Sequence, residues 1–127
     1  GYPAKVKSFD WVGNTPYLVT SGANQAICWP FDGKDGPKGR KPICVADGGK
    51  QYSTFIKSLP DEEAIFTGFR DGTVLLSEID ENKNANIIRN PTGAEVTTIA
   101  LTSDRSHILI GDSKGSILWS TLWAGRE

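Results

Sequence analysis

A turn followed by an apolar strand occurs three times in the sequence, and this repeat restricts the fold more than any other feature. The three copies are residues 22–29, 68–76 and 111–119. Aligned at the turn, Asn24, Asp71 and Lys114 correspond, and they lie 47 and 43 residues apart. A period of about 40–45 residues is typical of repeat folds that use one four-stranded sheet per unit. An insertion of glycines and lysines from Asp32 to Lys41 explains the longer first period.

Each repeat also contains the other strands of such a sheet. Short runs rich in β-branched and aromatic residues alternate with Gly, Asn, Asp and Pro, which favour turns. No 12-residue window has the 3.6-residue period of a helix, so the chain is predicted to be all-β. The predicted strands are Ala4–Asp10, Tyr17–Gly22, Ala26–Phe31, Pro42–Ala46, Tyr52–Ser58, Ala64–Phe69, Thr73–Ile79, Asn86–Arg89, Val96–Thr102, His107–Gly111 and Ser116–Leu122.

The order of these strands divides the chain into units of four, four and three strands. The units span residues 1–48, 49–91 and 92–127. Each is predicted to be a four-stranded antiparallel sheet, except that the third has only three strands and lacks its outer one. A lone sheet of this kind cannot bury both of its faces, and each unit therefore needs neighbours on both sides.

Composition argues against several function classes. The chain has 14 basic and 15 acidic residues and a net charge of −1, which gives no global attraction to nucleic acid or to an anionic membrane. No apolar run approaches the roughly 18 residues of a membrane span, and residues 1–5 lack the apolar core of a signal peptide. We therefore expect a cytoplasmic protein, in which Cys28 and Cys44 are reduced thiols on neighbouring strands, as possible cross-strand neighbours.

Catalytic and metal-binding patterns are weak. A nucleophilic triad requires a base, and the single histidine, His107, begins a predicted strand, where a surface or turn role is expected. The acidic runs at 61–63 and 80–81 fit solvated hairpin loops better than paired catalytic carboxylates. No spacing of His, Cys, Asp and Glu is typical of a metal site. The sequence predicts neither an enzyme nor a cofactor.

The three repeats resemble WD repeats, whose signature is a Gly, a turn Asp, an apolar strand and a Trp. The resemblance covers essentially the whole chain, but the Asp that normally follows Trp is Pro30, Ser77 and Ser120 here, and Trp itself is Leu76 in the second repeat. The opening Gly-His pair is absent. The resemblance implies a β-propeller. Many such blades are stiffened by an Asp–His–Ser–Trp hydrogen-bond network, which cannot form here in its usual way. Turns and apolar packing must therefore supply more of the stability.

Residues 29–37 also resemble the C-terminal part of bacterial WD-repeat proteins of unassigned function. In that family the N-terminus of the same chain commonly supplies the outer strand of the last blade. The resemblance implies that this chain is the C-terminal, three-blade portion of a larger propeller. Two copies are then expected to associate face to face, as a homodimer that completes a six-bladed ring with two-fold symmetry, or else to pack irregularly or exchange strands.

The function implied by the resemblance is a scaffold that binds protein partners. Such propellers typically bind on the loops before the first strand and after the second strand of each blade. By position, the partner-binding residues are Lys50, Gln51, Arg70, Thr92, Glu95, Asp112 and Lys114. Trp29 and Trp119 are predicted to pack between blades, and Trp123 is the aromatic candidate for an interface. The alternatives are a propeller-framed enzyme whose active site lies in missing blades and, less favoured, a nucleic-acid binder.

Overall fold

The computed structural model describes residues 3–59, 62–79 and 85–122. In these ranges all regular secondary structure is β-strand. Eleven strands form three antiparallel sheets, which we call sheets one, two and three. The strands of sheet one are β1 (Phe9–Trp11), β2 (Tyr17–Thr20), β3 (Ala26–Pro30) and β4 (Ile43–Val45). Those of sheet two are β5 (Ser53–Ser58), β6 (Ala64–Phe69), β7 (Val74–Glu78) and β8 (Ala85–Arg89). Those of sheet three are β9 (Val96–Leu101), β10 (His107–Asp112) and β11 (Ile117–Thr121).

Each sheet is a meander in which consecutive strands are hydrogen-bonded neighbours. The all-β prediction of four, four and three strands is confirmed, and most predicted ends agree to within one or two residues. The exception is the first strand, which was predicted at Ala4–Asp10 but begins at Phe9. The segment before Phe9 is held by hydrogen bonds that are not part of the strand pairing. The Ala4 amide donates to the Gly22 carbonyl, and the Ser8 amide donates to Ser21 Oγ.

The three sheets stack face to face, with sheet two in the middle. Alternate residues of β6 point in opposite directions, so Ile65 and Phe69 face sheet one whereas Phe66 faces sheet three. All six residues of β6 are consequently buried. Residues buried between sheets one and two are Val12, Val19, Ala26, Cys28, Val45, Ala46, Ile56, Ile65, Phe69 and Leu75. Those buried between sheets two and three are Leu59, Ala64, Phe66, Val74, Leu76, Val96, Ile99, Ile108, Ile110 and Leu122.

The first strands of the three sheets lie side by side, with β5 between β1 and β9. Polar groups join them: the Ile56 amide donates to Ser8 Oγ at 2.9 Å, and the Ser58 amide donates to Asp10 Oδ2 at 2.9 Å. On the other side of β5, Thr54 Oγ1 donates to the Val96 carbonyl at 2.7 Å. The sheets are therefore held together by directed hydrogen bonds as well as by apolar contact.

Each outer sheet keeps one open face. The register pairs Leu109 with Trp119 on the side of sheet three that points away from sheet two. Trp119 is 65% exposed and Ile117 is 71% exposed. On sheet one, Phe9 and Trp11 are 68% and 53% exposed. We call these surfaces the open face of sheet three and the open face of sheet one.

The prediction that Trp119 is buried between blades is therefore wrong for the described chain. Its strand position is the expected one, but no further sheet lies against the open face of sheet three in the part of the chain that the structure describes. Trp29 is half-buried, and its Nε1 donates to Thr20 Oγ1 at 3.2 Å. Sheet one thus keeps one tryptophan–hydroxyl contact between its second and third strands.

Candidate interaction face

Five loops gather at one end of the three sheets. They follow the second and fourth strands and precede the first and third strands, and in antiparallel sheets these positions share one end. We call this end the loop face. Its residues are 21–25, 46–52, 70–73, 90–95 and 112–116.

Main-chain hydrogen bonds tie these loops to one another. The Gly48 amide donates to the Asn24 carbonyl at 2.7 Å, and the Thr92 and Gly93 amides donate to the Asp71 carbonyl at 2.9 Å. In sheet three the Ser113 amide donates to the Glu95 carbonyl at 2.9 Å. Each of these hydrogen bonds connects two different loops, so the loops form one continuous surface.

The structure brings all seven sequence-predicted residues to this end of the sheets, but their exposure to solvent differs. Exposed are Lys50, Arg70, Thr92 and Lys114; half-buried are Gln51 and Glu95; buried is Asp112. The Arg70 guanidinium stacks 4.8 Å from the centre of the Tyr52 ring. Lys7 Nζ lies 2.9 Å from Glu95 Oε2, an exposed ion pair of small energetic value.

Asp112 holds a turn together. Its Oδ1 accepts the amides of Lys114 at 2.9 Å and Ser116 at 3.1 Å, and its Oδ2 lies 3.3 Å from Nη2 of the nearly buried Arg89. Burial favours the neutral carboxyl, but the two amides and the guanidinium outweigh it and lower the pKa of Asp112. The carboxylate is engaged by the protein itself and fixes the turn that contains Lys114. Sequence reasoning missed Arg89 because no local pattern links it to a residue 23 positions later.

A groove of about 250 Å³ opens on the loop face beside sheets one and two. Its apolar wall is formed by Phe69, Leu75 and Ile87, and its polar rim includes Asp47, Gln51 and Asp71. Of these residues the sequence predicted only Gln51 as a partner contact. No pattern in the sequence marks Ile87 as exposed, because its exposure depends on how β8 lies at the edge of sheet two.

The β9–β10 turn contains the histidine. Ser106 Oγ lies 2.7 Å from His107 Nδ1 and donates to Asp104 Oδ1 at 2.7 Å. The pKa of Asp104 falls to about 2, because the Ser106 hydroxyl and amide and the Thr102 hydroxyl all donate to its carboxylate. His107 also lies near Trp119, with ring centres 5.3 Å apart. These contacts close a hairpin, as the predicted turn role requires.

The two cysteines lie on adjacent strands, as expected, but they are not direct cross-strand neighbours. The register pairs Ile27 with Cys44 and Cys28 with Ile43, so the thiols point to opposite faces of sheet one. Burial raises the pKa of Cys28 to about 12. Among the described residues no group of three His, Cys, Asp or Glu side chains is placed to hold a metal ion.

Two groups of predictions fall partly or wholly outside the described residues. Trp123 lies there, as do Asp61 of the first acidic run and the whole second run, Asp80 and Glu81. In the ranges that the structure covers, no helix is long and apolar enough to cross a membrane.

Comparison with solved structures decides the fold. A chain in the crystal structure of a mitotic checkpoint complex matches 91% of this chain with a TM-score of 0.71 and 17% identity. The chain has a WD40-like β-propeller fold. The match covers 34% of that other chain, so the present chain spans about a third of its length. This result confirms the predicted fold class, an all-β partial propeller.

A computationally designed protein, Ika4, aligns over 96% of this chain and 94% of its own length, with 13% identity and a TM-score of 0.49. No protein-family model and no curated protein matches the sequence. A bacterial origin stays a prediction.

Proposed function

We propose that this WD40-like arc is a non-enzymatic protein-interaction scaffold that presents its loop face to a protein partner. The observation that carries the proposal is the tying of consecutive loops by main-chain hydrogen bonds, with charged and polar side chains left at the surface. A surface held in its bound shape before association loses less conformational entropy on binding. In this proposal the blades span residues 1–48, 49–91 and 92–127, and the protein acts in the cytoplasm without nucleic acid or membrane partners.

The proposed contact residues are the six accessible members of the predicted set: Lys50, Gln51, Arg70, Thr92, Glu95 and Lys114. Asp112 supports them by fixing the turn that contains Lys114. Arg70 is the strongest single candidate, because its guanidinium is exposed and already ordered on the Tyr52 ring.

Affinity capture with matched variants tests this assignment. The immobilised chain is compared with Gln51→Ala/Arg70→Ala and with the control Lys34→Ala/Lys38→Ala, whose residues lie at the opposite end of sheet one. We expect the first variant to lower partner recovery about tenfold, the effect of losing about 1.4 kcal/mol of binding energy, and the control to leave it unchanged. Unchanged recovery with the first variant contradicts the loop-face assignment.

We further propose that two copies of the chain close a six-bladed ring. Within the chain, one face of sheet one covers sheet two, and sheet two in turn covers sheet three. By continuation, the open face of sheet three of one copy packs on the open face of sheet one of the other. This head-to-tail contact then occurs twice about a two-fold axis. In a longer protein the same two faces would pack on further blades.

Solution mass and complementation test the ring. We expect twice the chain mass of 13.8 kDa at micromolar concentration. Trp119→Lys and Trp11→Lys should each give monomers, because each places a charge in both contacts. Their mixture should form a heterodimer, since one of its two contacts is then free of substitutions. A strictly monomeric parent chain contradicts the ring, and a dimer insensitive to Trp11→Lys contradicts the head-to-tail arrangement.

A further inference from the structure

We infer that the groove beside sheets one and two binds a short segment of a protein partner by one apolar side chain flanked by a lysine or arginine. This inference rests on the proposed scaffold function and assigns it a site and a ligand chemistry. It does not depend on ring formation, because the groove lies between two sheets of the same chain.

The apolar part of the groove has a rigid floor and an accessible wall. Phe69 is fully buried and Leu75 is almost so, and both belong to the core between sheets one and two. Ile87 stands beside them on β8 and is 64% exposed, although it faces the same side of sheet two as Leu75, its cross-strand partner. A ligand side chain that covered Ile87 would remove apolar surface from water.

The size of the groove favours a peptide side chain. Its volume of about 250 Å³ is below the roughly 300–1,000 Å³ of pockets that enclose drug-sized molecules. One large aliphatic or aromatic side chain fills such a space, and the loops around it are already ordered by the Gly48–Asn24 hydrogen bond.

The rim is negative. Asp47 and Asp71 both line the groove, and among the described residues no lysine or arginine lines it. One carboxylate oxygen of each is used locally: Asp47 Oδ1 accepts the Gly49 amide at 2.8 Å, and Asp71 Oδ1 accepts the Thr73 amide at 3.0 Å. The other oxygen of each carboxylate has no partner among the described residues. Both aspartates are therefore fixed in place and each keeps an acceptor for a cationic donor.

Two neighbouring cations lie outside the lining of the groove. Lys50 and Arg70 are adjacent in sequence to the rim residues, but neither lines the groove. Arg70 is held over the Tyr52 ring. Charge complementarity thus selects a basic flank on the ligand, and an acidic flank would meet like charge.

Selection of phage-displayed random dodecapeptides on the full chain tests the inference. We expect enrichment of sequences in which Leu, Ile or Phe lies within three residues of Lys or Arg. The best peptide is then synthesised and its dissociation constant measured. Ile87→Glu should weaken binding at least tenfold. Asp47→Asn/Asp71→Asn should weaken it several-fold and abolish its dependence on salt, because asparagine keeps the acceptor oxygen and removes only the charge.

The control is Val6→Glu, which introduces the same charge at an exposed apolar residue outside the groove and both open faces. It should bind like the parent chain. Since Ile87, Asp47 and Asp71 are not core residues, each variant should unfold at a temperature close to that of the parent.

Three results overturn the inference: no enrichment, enrichment of acidic peptides, or binding that Ile87→Glu leaves unchanged. If peptides bind but respond only to Gln51→Ala/Arg70→Ala, the scaffold proposal stands and the groove assignment fails. If peptides respond to the groove variants while protein capture ignores Gln51→Ala/Arg70→Ala, the groove stands and the wider loop-face assignment fails.

Discussion

Strands β7 and β11 occupy the same place in their sheets, yet one is buried and the other is exposed. Their sequences are both apolar at the start, Val-Leu-Leu-Ser-Glu and Ile-Leu-Trp-Ser-Thr. The first four residues of β7 are buried, whereas all five of β11 are exposed. Strand β7 lies between β6 and β8 in a sheet that is covered on both faces. Among the described residues, β11 lies at the edge of a sheet that is covered on one face.

Whether a strand of this fold is buried therefore depends on the sheets that pack against it and not on its own sequence alone. The apolar side chains of a propeller blade stabilise the fold mainly on a face that another blade covers. The apolar residues of β11 therefore contribute little to the stability of a single chain and represent surface available for association.

Removing a large aromatic side chain should give the largest contrast between the two regions. Phe66→Ala deletes a fully buried side chain between sheets two and three and should lower the free energy of unfolding by about 3–5 kcal/mol. Trp119→Ala deletes a larger side chain from the open face and should change it by less than about 0.5 kcal/mol in the monomer. Urea denaturation at submicromolar concentration measures both.

If Phe66→Ala does not fold, Phe66→Leu is measured instead. It should lower the free energy of unfolding by about 1–2 kcal/mol. Equal losses for Phe66→Leu and Trp119→Ala would contradict the assignment of the two faces. A loss for Trp119→Ala that grows with protein concentration would instead report association through the open face.

Overfilling the same interface should have a smaller effect. Gly68 packs so closely on Val96 that an added methyl group would overlap its side chain, and Gly68→Ala should cost about 1–3 kcal/mol. Gly33→Ala is the matched control, since its methyl group would make only an ordinary contact with Arg40. The double variant Gly68→Ala/Val96→Ala should lose less than the sum of the single variants, as measured by a double-mutant cycle. Strict additivity would show that the overlap is not the cause.

The sequence predicted the strands of this chain well, for a physical reason. Turn residues and β-branched runs act locally, so Ala64–Phe69 was predicted to the residue and all eleven predicted strands occur in the described residues. The first strand begins later than predicted, and the Ser8 amide just before it donates to Ser21 Oγ, 13 residues away in sequence. No local pattern reports such a bond.

The candidate site was less predictable. Repeat position brought seven residues to the loop face, but the pairing of Asp112 with Arg89 and the exposure of Ile87 depend on contacts between sheets. The fate of Trp119 likewise depends on what covers sheet three. A repeat pattern locates a residue within its own blade, whereas burial and hydrogen bonding are decided by the next blade.

Removing a single buried hydroxyl should have the smallest of the three effects on stability. Thr54 is buried between sheets two and three, and Thr54→Val keeps its shape while removing the hydrogen bond to the Val96 carbonyl. The expected loss is about 1–2 kcal/mol, because the carbonyl loses a buried donor. Thr98→Val makes the same change on the exposed side of sheet three and should be nearly neutral. Urea denaturation of the two variants measures the difference, and a loss as large for Thr98→Val would mean that the open face of sheet three is covered in solution.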